Sequence, residues 1–151
     1  MSASAKLKEL GFELPVAVTP LGSYLPAVRS GNLVYTSGQL PMRAGALVQA
    51  GKVGADVTPG QANELARVCA LNALAAIDAL VGIDSVIKVV KVVGFVASAA
   101  GFNGQPGVIN GASDLLAGVF GDAGVHARSA VGVAELPLDA PVEVELVVEV
   151  G

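Results

Sequence analysis

The feature that most constrains this fold is a β-branched run, SVIKVVKVVGFVAS, at Ser85–Ser98. Val and Ile favour extended backbone, and the run is long enough to form one bent strand. A helical pattern precedes this strand and a second one follows it. With a strand at Leu33–Ser37 and two more at the end of the chain, the predicted order is β, α, β, α, β, β.

The helix before this strand has the clearest boundaries in the sequence. Thr58 and Gln61 have the spacing of a capping box, and Pro59 fills the first helical position. Gly82 ends the helix. Apolar residues at helical spacing predict an inward face, in which the lone cysteine is interpreted as a small core residue. They are Leu65, Cys69, Ala73, Ala76 and Leu80.

The second helix is predicted from QPGVINGASDLLAGVFG, with Pro106 at its start and Gly121 at its end. Three glycines inside it, Gly107, Gly111 and Gly118, each weaken an isolated helix by up to about 1 kcal/mol. The helix therefore needs a sheet to pack on. Its apolar stripe consists of Val108, Ala112, Leu115, Val119 and Phe120.

The remaining segments complete an α+β architecture. Two strands, Ala127–Glu135 and Val142–Val150, are joined by the segment LPLDAP and are predicted to pair as a hairpin. The glycine-rich RAGALVQAGKVGADV predicts an earlier hairpin-like excursion, and Met1–Gly11 is either a short helix or a disordered lead. We therefore expect a mixed sheet with two helices on one face.

Composition indicates one domain that covers part of its surface with other copies of itself. The length fits a single domain over residues 1–151, with residues 1–13 as a lead and 14–151 as the core. The chain is 53% hydrophobic and only 15% charged, whereas an average domain is about a quarter charged. We expect a symmetry mate to cover the sheet face that the helices leave open.

Charge and rare residue types argue against several classes of function. The net charge is −4 and the nine Lys and Arg residues are scattered, so no nucleic-acid partner is expected. One cysteine excludes an internal disulfide, and a single histidine argues against a zinc site. The N-terminus carries charges where a signal peptide is apolar, and no uncharged stretch fits a membrane helix. The expected compartment is the cytoplasm, without membrane contact.

Arg128, in the stretch GVHARSAVGV, is the first candidate for a functional residue. Strand alternation places it on one face with Ala130, Gly132 and Ala134. These small side chains leave either a cavity or room for another subunit. The last strand carries Glu143, Glu145 and Glu149 on one face, so Arg128 could form a cross-strand ion pair. The alternative is bidentate recognition of a carboxylate ligand, for which a guanidinium is suited.

His126 lies two residues before Arg128 and has the same alternation. An imidazole at this place could act as a general acid or base. The alternative is a surface or hydrogen-bonded histidine at the end of a strand.

Three segments together resemble the reactive intermediate deaminase family, also called Rid, YjgF or L-PSP. They are GNLVYTSGQLP, LNALAAIDALVGIDSVIKVVKVVGFVAS and HARSAVGVAELPLDAPVEVELVVEV, and the match runs in order from Gly22 to Val150. The resemblance implies a chorismate-mutase-like α+β fold. It also implies a homotrimer whose three sheets form an inner barrel, with three clefts between subunits.

The resemblance implies a function as well. The best-studied branch hydrolyses 2-imino and 2-enamino acids to 2-oxo acids and ammonia, without cofactor or metal. A longer subgroup of the superfamily is indicated here. One hypothesis is therefore a cofactor-independent deaminase, and the other is a non-catalytic trimer that binds a small carboxylate metabolite. Ribonuclease activity is a weaker third reading, because the chain lacks a basic track.

Site residues follow from the resemblance position by position. Arg128 matches the arginine that grips the substrate carboxylate. Glu143 matches the glutamate proposed to position or activate water. Tyr24, in GSYLPAV, matches an aromatic residue that a neighbouring subunit supplies.

Other matches and departures complete the expected site. Ser37 and Gly38 match a strand-end turn at the cleft, and Asn110 matches a helix asparagine near the pocket. The usual GPYSQA is GSYLPA here, which changes the cleft wall. The usual proline before ARS is replaced by VH, which brings His126 close to the site.

Overall fold

A computed structural model of the chain describes residues 1–151. The helices are α1 (Ala3–Glu9), α2 (Pro59–Val81) and α3 (Gln105–Phe120). The strands are β1 (Ala27–Ser30), β2 (Leu33–Thr36), β3 (Met42–Arg43), β4 (Ala46–Leu47), β5 (Val86–Ala97), β6 (Ala127–Val133) and β7 (Val142–Val150). Short 3₁₀ turns lie at Ile83–Ser85, Gly121–Gly124 and Pro137–Asp139. None of the helices combines the length and the apolarity needed to cross a membrane.

Five strands form one mixed sheet in the order β1-β2-β7-β5-β6, and β3 pairs with β4 separately. Strands β5 and β6 are parallel, while the other neighbours are antiparallel. The β-branched run forms β5 as predicted, and it bends at two register irregularities near its start. The structure confirms the α+β architecture, with α2 and α3 packed on one face of the sheet.

The predicted hairpin of the last two strands is wrong. Strand β5 lies between β6 and β7 and pairs with both. The chain leaves β5, crosses through α3, and returns as β6 parallel to it, which is the connection that a helix permits. The short segment after β6 then carries the chain past β5 to its other edge. Both edges of the apolar β5 are thereby hydrogen-bonded.

Helix α2 begins and ends at the predicted residues. The Thr58 hydroxyl accepts from the Gln61 N–H at 3.1 Å, and the Gln61 amide oxygen accepts from the Thr58 N–H at 2.9 Å. Gly82 ends the helix with φ +80°, a conformation that favours glycine. One predicted core residue is wrong, since Leu80 is 45% exposed. Residues 78–80 are all exposed, because the last turn projects past the core.

The two faces of the sheet differ in what covers them. Every second residue of β7 is buried beneath the helices, namely Val142, Val144, Leu146, Val148 and Val150. No helix covers the alternate residues, and we call that side the open face. On it, Val28, Tyr35 and Val131 are 47%, 43% and 43% exposed. The N-terminal segment is not a loose lead, because Leu7 of α1 belongs to the buried core.

The column of small residues beside Arg128 is only partly covered by α3, since Ala130 is half-buried whereas Gly132 and Ala134 are exposed. The side chain of Ile109 lies directly over Gly94 of β5, where a Cβ would overlap it. A Cβ at Gly132 would lie 2.8 Å from the amide nitrogen of Gln105. Gly94 lets helix and sheet approach closely. At the exposed end of the column, the choice between a cavity and a neighbouring subunit stays a prediction.

Gly111→Ala is expected to lower the free energy of unfolding by about 1–3 kcal/mol through overpacking. A Cβ there would overlap the backbone carbonyl of Asn63 on α2, which cannot move independently. Gly118→Ala on the same helix is the control. Its Cβ would meet only Leu10 at an ordinary 3.5 Å, so the free energy of unfolding of this variant should rise by up to about 1 kcal/mol. Urea unfolding at equal protein concentration measures both, and equal effects would contradict this packing argument.

Candidate functional site

Arg128 lies on the helix-covered side of the sheet, at its β6 edge. Its register partner on β5 is Val92, which in turn pairs with Leu146 of β7. Both are fully buried beneath the helices. The guanidinium therefore extends along the underside of α3 toward solvent.

Three neutral oxygen atoms of α3 hold the Arg128 guanidinium. Nη1 donates to the Asn110 side-chain oxygen at 2.7 Å and to the Ser113 hydroxyl at 3.2 Å. Nη2 donates to the Pro106 carbonyl at 3.4 Å. A guanidinium has five N–H donors, so the Nε hydrogen and one Nη2 hydrogen have no acceptor in the chain. Nε and Nη2 together form the edge of a guanidinium that binds a carboxylate with two hydrogen bonds.

The predicted cross-strand ion pair does not form. Arg128 takes part in none of the ion pairs of the chain. Glu143 aligns with Phe95 of β5, which aligns with Val131 of β6. That row belongs to the open face, whereas Arg128 is on the covered face. Within one chain, the arginine and the glutamate therefore lie on opposite sides of the sheet.

Glu143 lines a cavity of about 190 Å³ on the open side, together with Tyr24, Gly38 and segment 18–21. We call this group the glutamate site. The Tyr24 hydroxyl accepts from the Leu21 N–H at 3.2 Å, which folds the segment over the cavity. The cavity walls are mostly apolar, so the carboxylate is the main charged group inside.

Gly38 and Ser37 have different roles in this site. A Cβ at Gly38 would lie 2.6 Å from the Glu143 carboxylate oxygen, so only glycine leaves room for that carboxylate. The Ser37 hydroxyl donates to the Leu25 carbonyl at 2.5 Å, and the Ser37 N–H donates to the Pro26 carbonyl at 2.8 Å. Ser37 therefore anchors the segment that carries Tyr24, and it does not line the cavity.

Burial is the main reason that the pKa of Glu143 is raised above its ordinary value, and the negative charge of Glu145 adds to it. The pKa of Glu145 is raised by burial too. No donor within the chain stabilises the ionised form of Glu143. Such a carboxylate is a stronger base than an exposed one, and it can both take and return a proton.

His126 is held on both sides. Its Nδ1 lies 2.6 Å from the Gly124 carbonyl, and its Nε2 lies 2.9 Å from the Ser113 hydroxyl. A carbonyl only accepts hydrogen bonds, so this geometry assigns a proton to Nδ1, and in the neutral imidazole Nε2 then accepts from Ser113. Of the two interpretations of His126, the structure shows a hydrogen-bonded residue at the start of β6.

Ser113 was missed by the sequence analysis. It lies three residues after Asn110, on the same side of α3, and this i, i+3 spacing was the only available signal. We call Asn110, Ser113, His126 and Arg128 the arginine site. No three or more His, Cys, Asp or Glu side chains converge in an arrangement that would hold a metal ion.

Comparisons with known proteins agree with the sequence resemblance. Trypanosoma cruzi protein TCP17 is 44% identical over 148 residues, which cover 97% of this chain and 92% of that protein. A 2-iminobutanoate/2-iminopropanoate deaminase of Dermatophagoides farinae is 34% identical over 136 residues, covering 89% of this chain and 91% of the deaminase.

The comparison with solved structures and the comparison with protein families agree. The crystal structure of Atu1372 from Agrobacterium tumefaciens, a protein of unknown function, superposes with a TM-score of 0.92 at 47% identity. The match covers 99% of this chain and 92% of Atu1372. The family described as "YjgF/chorismate_mutase-like, putative endoribonuclease" matches residues 4–150. The chain therefore belongs to the YjgF/chorismate mutase-like family.

Proposed function

We propose that this protein is a cofactor-independent hydrolase that converts 2-imino or 2-enamino acids into 2-oxo acids and ammonia. The observation that carries the proposal is the state of Arg128. Three neutral acceptors hold its guanidinium, no carboxylate of the chain pairs with it, and Nε and one Nη2 hydrogen have no acceptor in the chain. A small carboxylate ligand is the partner that suits the Nε/Nη2 edge.

The active site is proposed to lie between subunits of a homotrimer. Arg128 and Glu143 lie on strands that are two strand spacings apart, about 9–10 Å, and they are three residues apart in register and on opposite faces of the sheet. One small substrate cannot contact both within a chain. A cleft between subunits solves this, with the arginine site of one subunit opposite the glutamate site of the next. The apolar open face supports the assembly, because exposed apolar patches of this kind mark association surfaces.

The reaction needs few groups once the substrate is placed. Arg128 holds the carboxylate, and Glu143 takes a proton from water as the oxygen attacks the C=N carbon. With the protonated imine (C=NH₂⁺) as substrate, the tetrahedral intermediate carries a hydroxyl and an amine. Glu143 returns its proton to the amine. The C–N bond then breaks as the hydroxyl gives its proton back to the Glu143 carboxylate, so that the C=O bond forms and ammonia departs. The raised pKa of Glu143 suits these proton transfers.

Two further observations bear on the choice of function. The D. farinae relative, matched over 89% of this chain, is a deaminase of this reaction class. The net charge of −4 and the scattered basic residues argue against an endoribonuclease.

Arg128→Ala is expected to lower kcat/KM at least about a hundredfold, because two hydrogen bonds to a charged carboxylate are lost. Arg128→Lys keeps the positive charge but lacks the two-pronged geometry of a guanidinium, so it should lower kcat/KM about tenfold. The assay generates imino acids with an amino-acid oxidase and measures ammonia release. Arg29→Ala is the control, since Arg29 donates only to the Gly31 carbonyl at 2.9 Å.

Two results would contradict the deaminase proposal. Full activity of Arg128→Ala would show that the reaction does not need Arg128, the residue on which the proposal rests. Thermal stabilisation of the wild type by 2-oxo acids, with no turnover of any imino acid, would instead favour the non-catalytic carboxylate-binding trimer.

Glu143→Gln is expected to abolish hydrolysis and yet stabilise the fold at neutral pH. Below the ordinary pKa of 4.5, the carboxyl is protonated in both the folded and the unfolded chain. As the pH rises, the unfolded chain ionises first, since burial raises the pKa of Glu143 in the folded state. The folded wild type thereby loses stability up to the raised pKa, and the amide does not.

Thermal unfolding between about pH 4 and pH 8 tests this sign. The stabilisation by Glu143→Gln should be small at the acidic end and reach its full size at neutral pH. Glu149→Gln, on the same face of β7, controls for the loss of a negative charge. A variant that is less stable than the wild type at neutral pH would show that the carboxylate is not penalised by burial.

Mixing two inactive variants tests the cleft between subunits. Arg128→Ala and Glu143→Gln, refolded together in equal amounts, should form mixed trimers in which one cleft of three keeps both groups. About a quarter of the wild-type activity is then expected, since three trimers in four are mixed. Light scattering should give a mass three times the 15.0 kDa of the chain. Two inactive variants that stay inactive together would contradict a shared cleft.

A further inference from the structure

An unbroken hydrogen-bond chain runs from Arg128 to a fixed point of the backbone. The Arg128 Nη1 lies 3.2 Å from the Ser113 hydroxyl, which lies 2.9 Å from His126 Nε2. The His126 Nδ1 lies 2.6 Å from the Gly124 carbonyl. Gly124 itself is buried so closely against the Leu116 carbonyl that a Cβ would overlap it. The chain therefore ends on backbone that has little freedom to move.

When the imidazole is neutral, the donor and the acceptor of each bond in this chain follow from the chemistry of the groups. Arginine only donates, so the Ser113 oxygen accepts from Arg128. The Gly124 carbonyl only accepts, so His126 carries its proton on Nδ1. Nε2 is then an acceptor, and the Ser113 hydroxyl hydrogen points to it. With that hydrogen committed to His126, the Ser113 lone pairs remain for Arg128.

The chain of bonds decides which edge of the guanidinium faces a ligand. Asn110 and Ser113 together occupy both hydrogens of Nη1. If the Ser113 acceptor were lost, one Nη1 hydrogen would become free, and the guanidinium could rotate or offer its end instead of its Nε/Nη2 edge. Holding Nη1 therefore pre-organises the edge that binds a carboxylate, which lowers the entropic cost of binding.

We propose that Ser113 and His126 are positioning residues that set the orientation of Arg128 toward the substrate carboxylate. His126 acts only through Ser113, and Ser113 acts only through Arg128. The inference rests on the proposed function, because it needs a carboxylate ligand on Arg128. It assigns the histidine in GVHARS a role in substrate affinity, while the proton transfers stay with Glu143.

Binding of 2-oxobutanoate, a 2-oxo acid of the proposed product class, tests the inference by calorimetry. Ser113→Ala and His126→Leu should each weaken binding about five- to tenfold, the effect of losing one hydrogen bond to a charged group. Because the two residues act in series, the double variant should bind as weakly as Ser113→Ala alone. His126→Gln, whose amide oxygen can accept from Ser113, should recover part of the affinity.

Kinetics separate positioning from catalysis and from simple loss of structure. Arg128 holds the carboxylate in both the ground state and the transition state, so the variants should raise KM and leave kcat nearly unchanged. Ser30→Ala, at the far edge of the sheet, is the matched control, and circular dichroism melting checks that each variant is folded.

His126 is the only histidine, so one imidazole appears in a ¹⁵N spectrum. It should be protonated on Nδ1, with an Nε2 signal that shifts in Ser113→Ala.

The possible results distinguish the two proposals. Wild-type binding with unchanged affinity in Ser113→Ala and His126→Leu would overturn the positioning role and leave the proposed function intact. A proton on Nε2, or additive effects in the double variant, would overturn the positioning role as well. If the wild type binds no 2-oxo acid and hydrolyses no imino acid, the proposed function fails and this inference fails with it.

Discussion

The contact between α3 and the sheet determines the position of nearly every group in the arginine site. Ile109 packs over Gly94, and this brings the N-terminal half of α3 down onto the β5–β6 edge. The neighbouring turns of the same helix then supply Asn110 and Ser113 to Arg128. A larger residue than glycine in β5 would lift the helix and remove these acceptors. The packing of Ile109 on Gly94 therefore also determines the geometry of the arginine site at the edge of the sheet.

The sheet separates two groups that the proposed reaction requires together. Strand alternation places the β7 glutamates on the open face, while β5 separates β7 from Arg128. In the proposed reaction, a single subunit can hold the carboxylate or activate the water, but not both on one small molecule. In the proposed trimer, assembly brings the two groups together in addition to covering apolar surface. Each half of the proposed site is built within its own subunit.

Some parts of this arrangement could be predicted from sequence, since their causes are local. The boundaries of α2 depend on Thr58, Gln61 and Gly82, and each acts within one turn of the helix. The order of the strands depends on which edge of β5 the chain reaches last. The short LPLDAP segment favours a hairpin in sequence, yet the hydrogen-bonding needs of β5 decide the outcome. That requirement is tertiary, and a segment read alone does not contain it.

The candidate site shows the same division between local and tertiary causes. Alternation correctly separated the faces of β6 and β7, but it could not show that Arg128 and Glu143 face opposite sides. The family resemblance pointed to Gly38 and Glu143, and the structure adds the physical reason, which is that a Cβ would occupy the place of the carboxylate. Ser113 had only its spacing from Asn110 to mark it, and many serines share such spacing with a polar neighbour.

The arginine site and the glutamate site differ in their effect on the stability of the fold. In the arginine site, the guanidinium is held by hydrogen bonds to Asn110, Ser113 and the Pro106 carbonyl, and these bonds also join α3 to β6. In the glutamate site, burial without donors raises the pKa of Glu143, and its ionised form destabilises the folded state at neutral pH. Close packing of helices and sheet, as at Gly111 between α2 and α3, is a source of stability at a distance from the glutamate site. The basicity that the proposed reaction requires of Glu143 therefore comes at a cost in stability, which the rest of the fold has to offset.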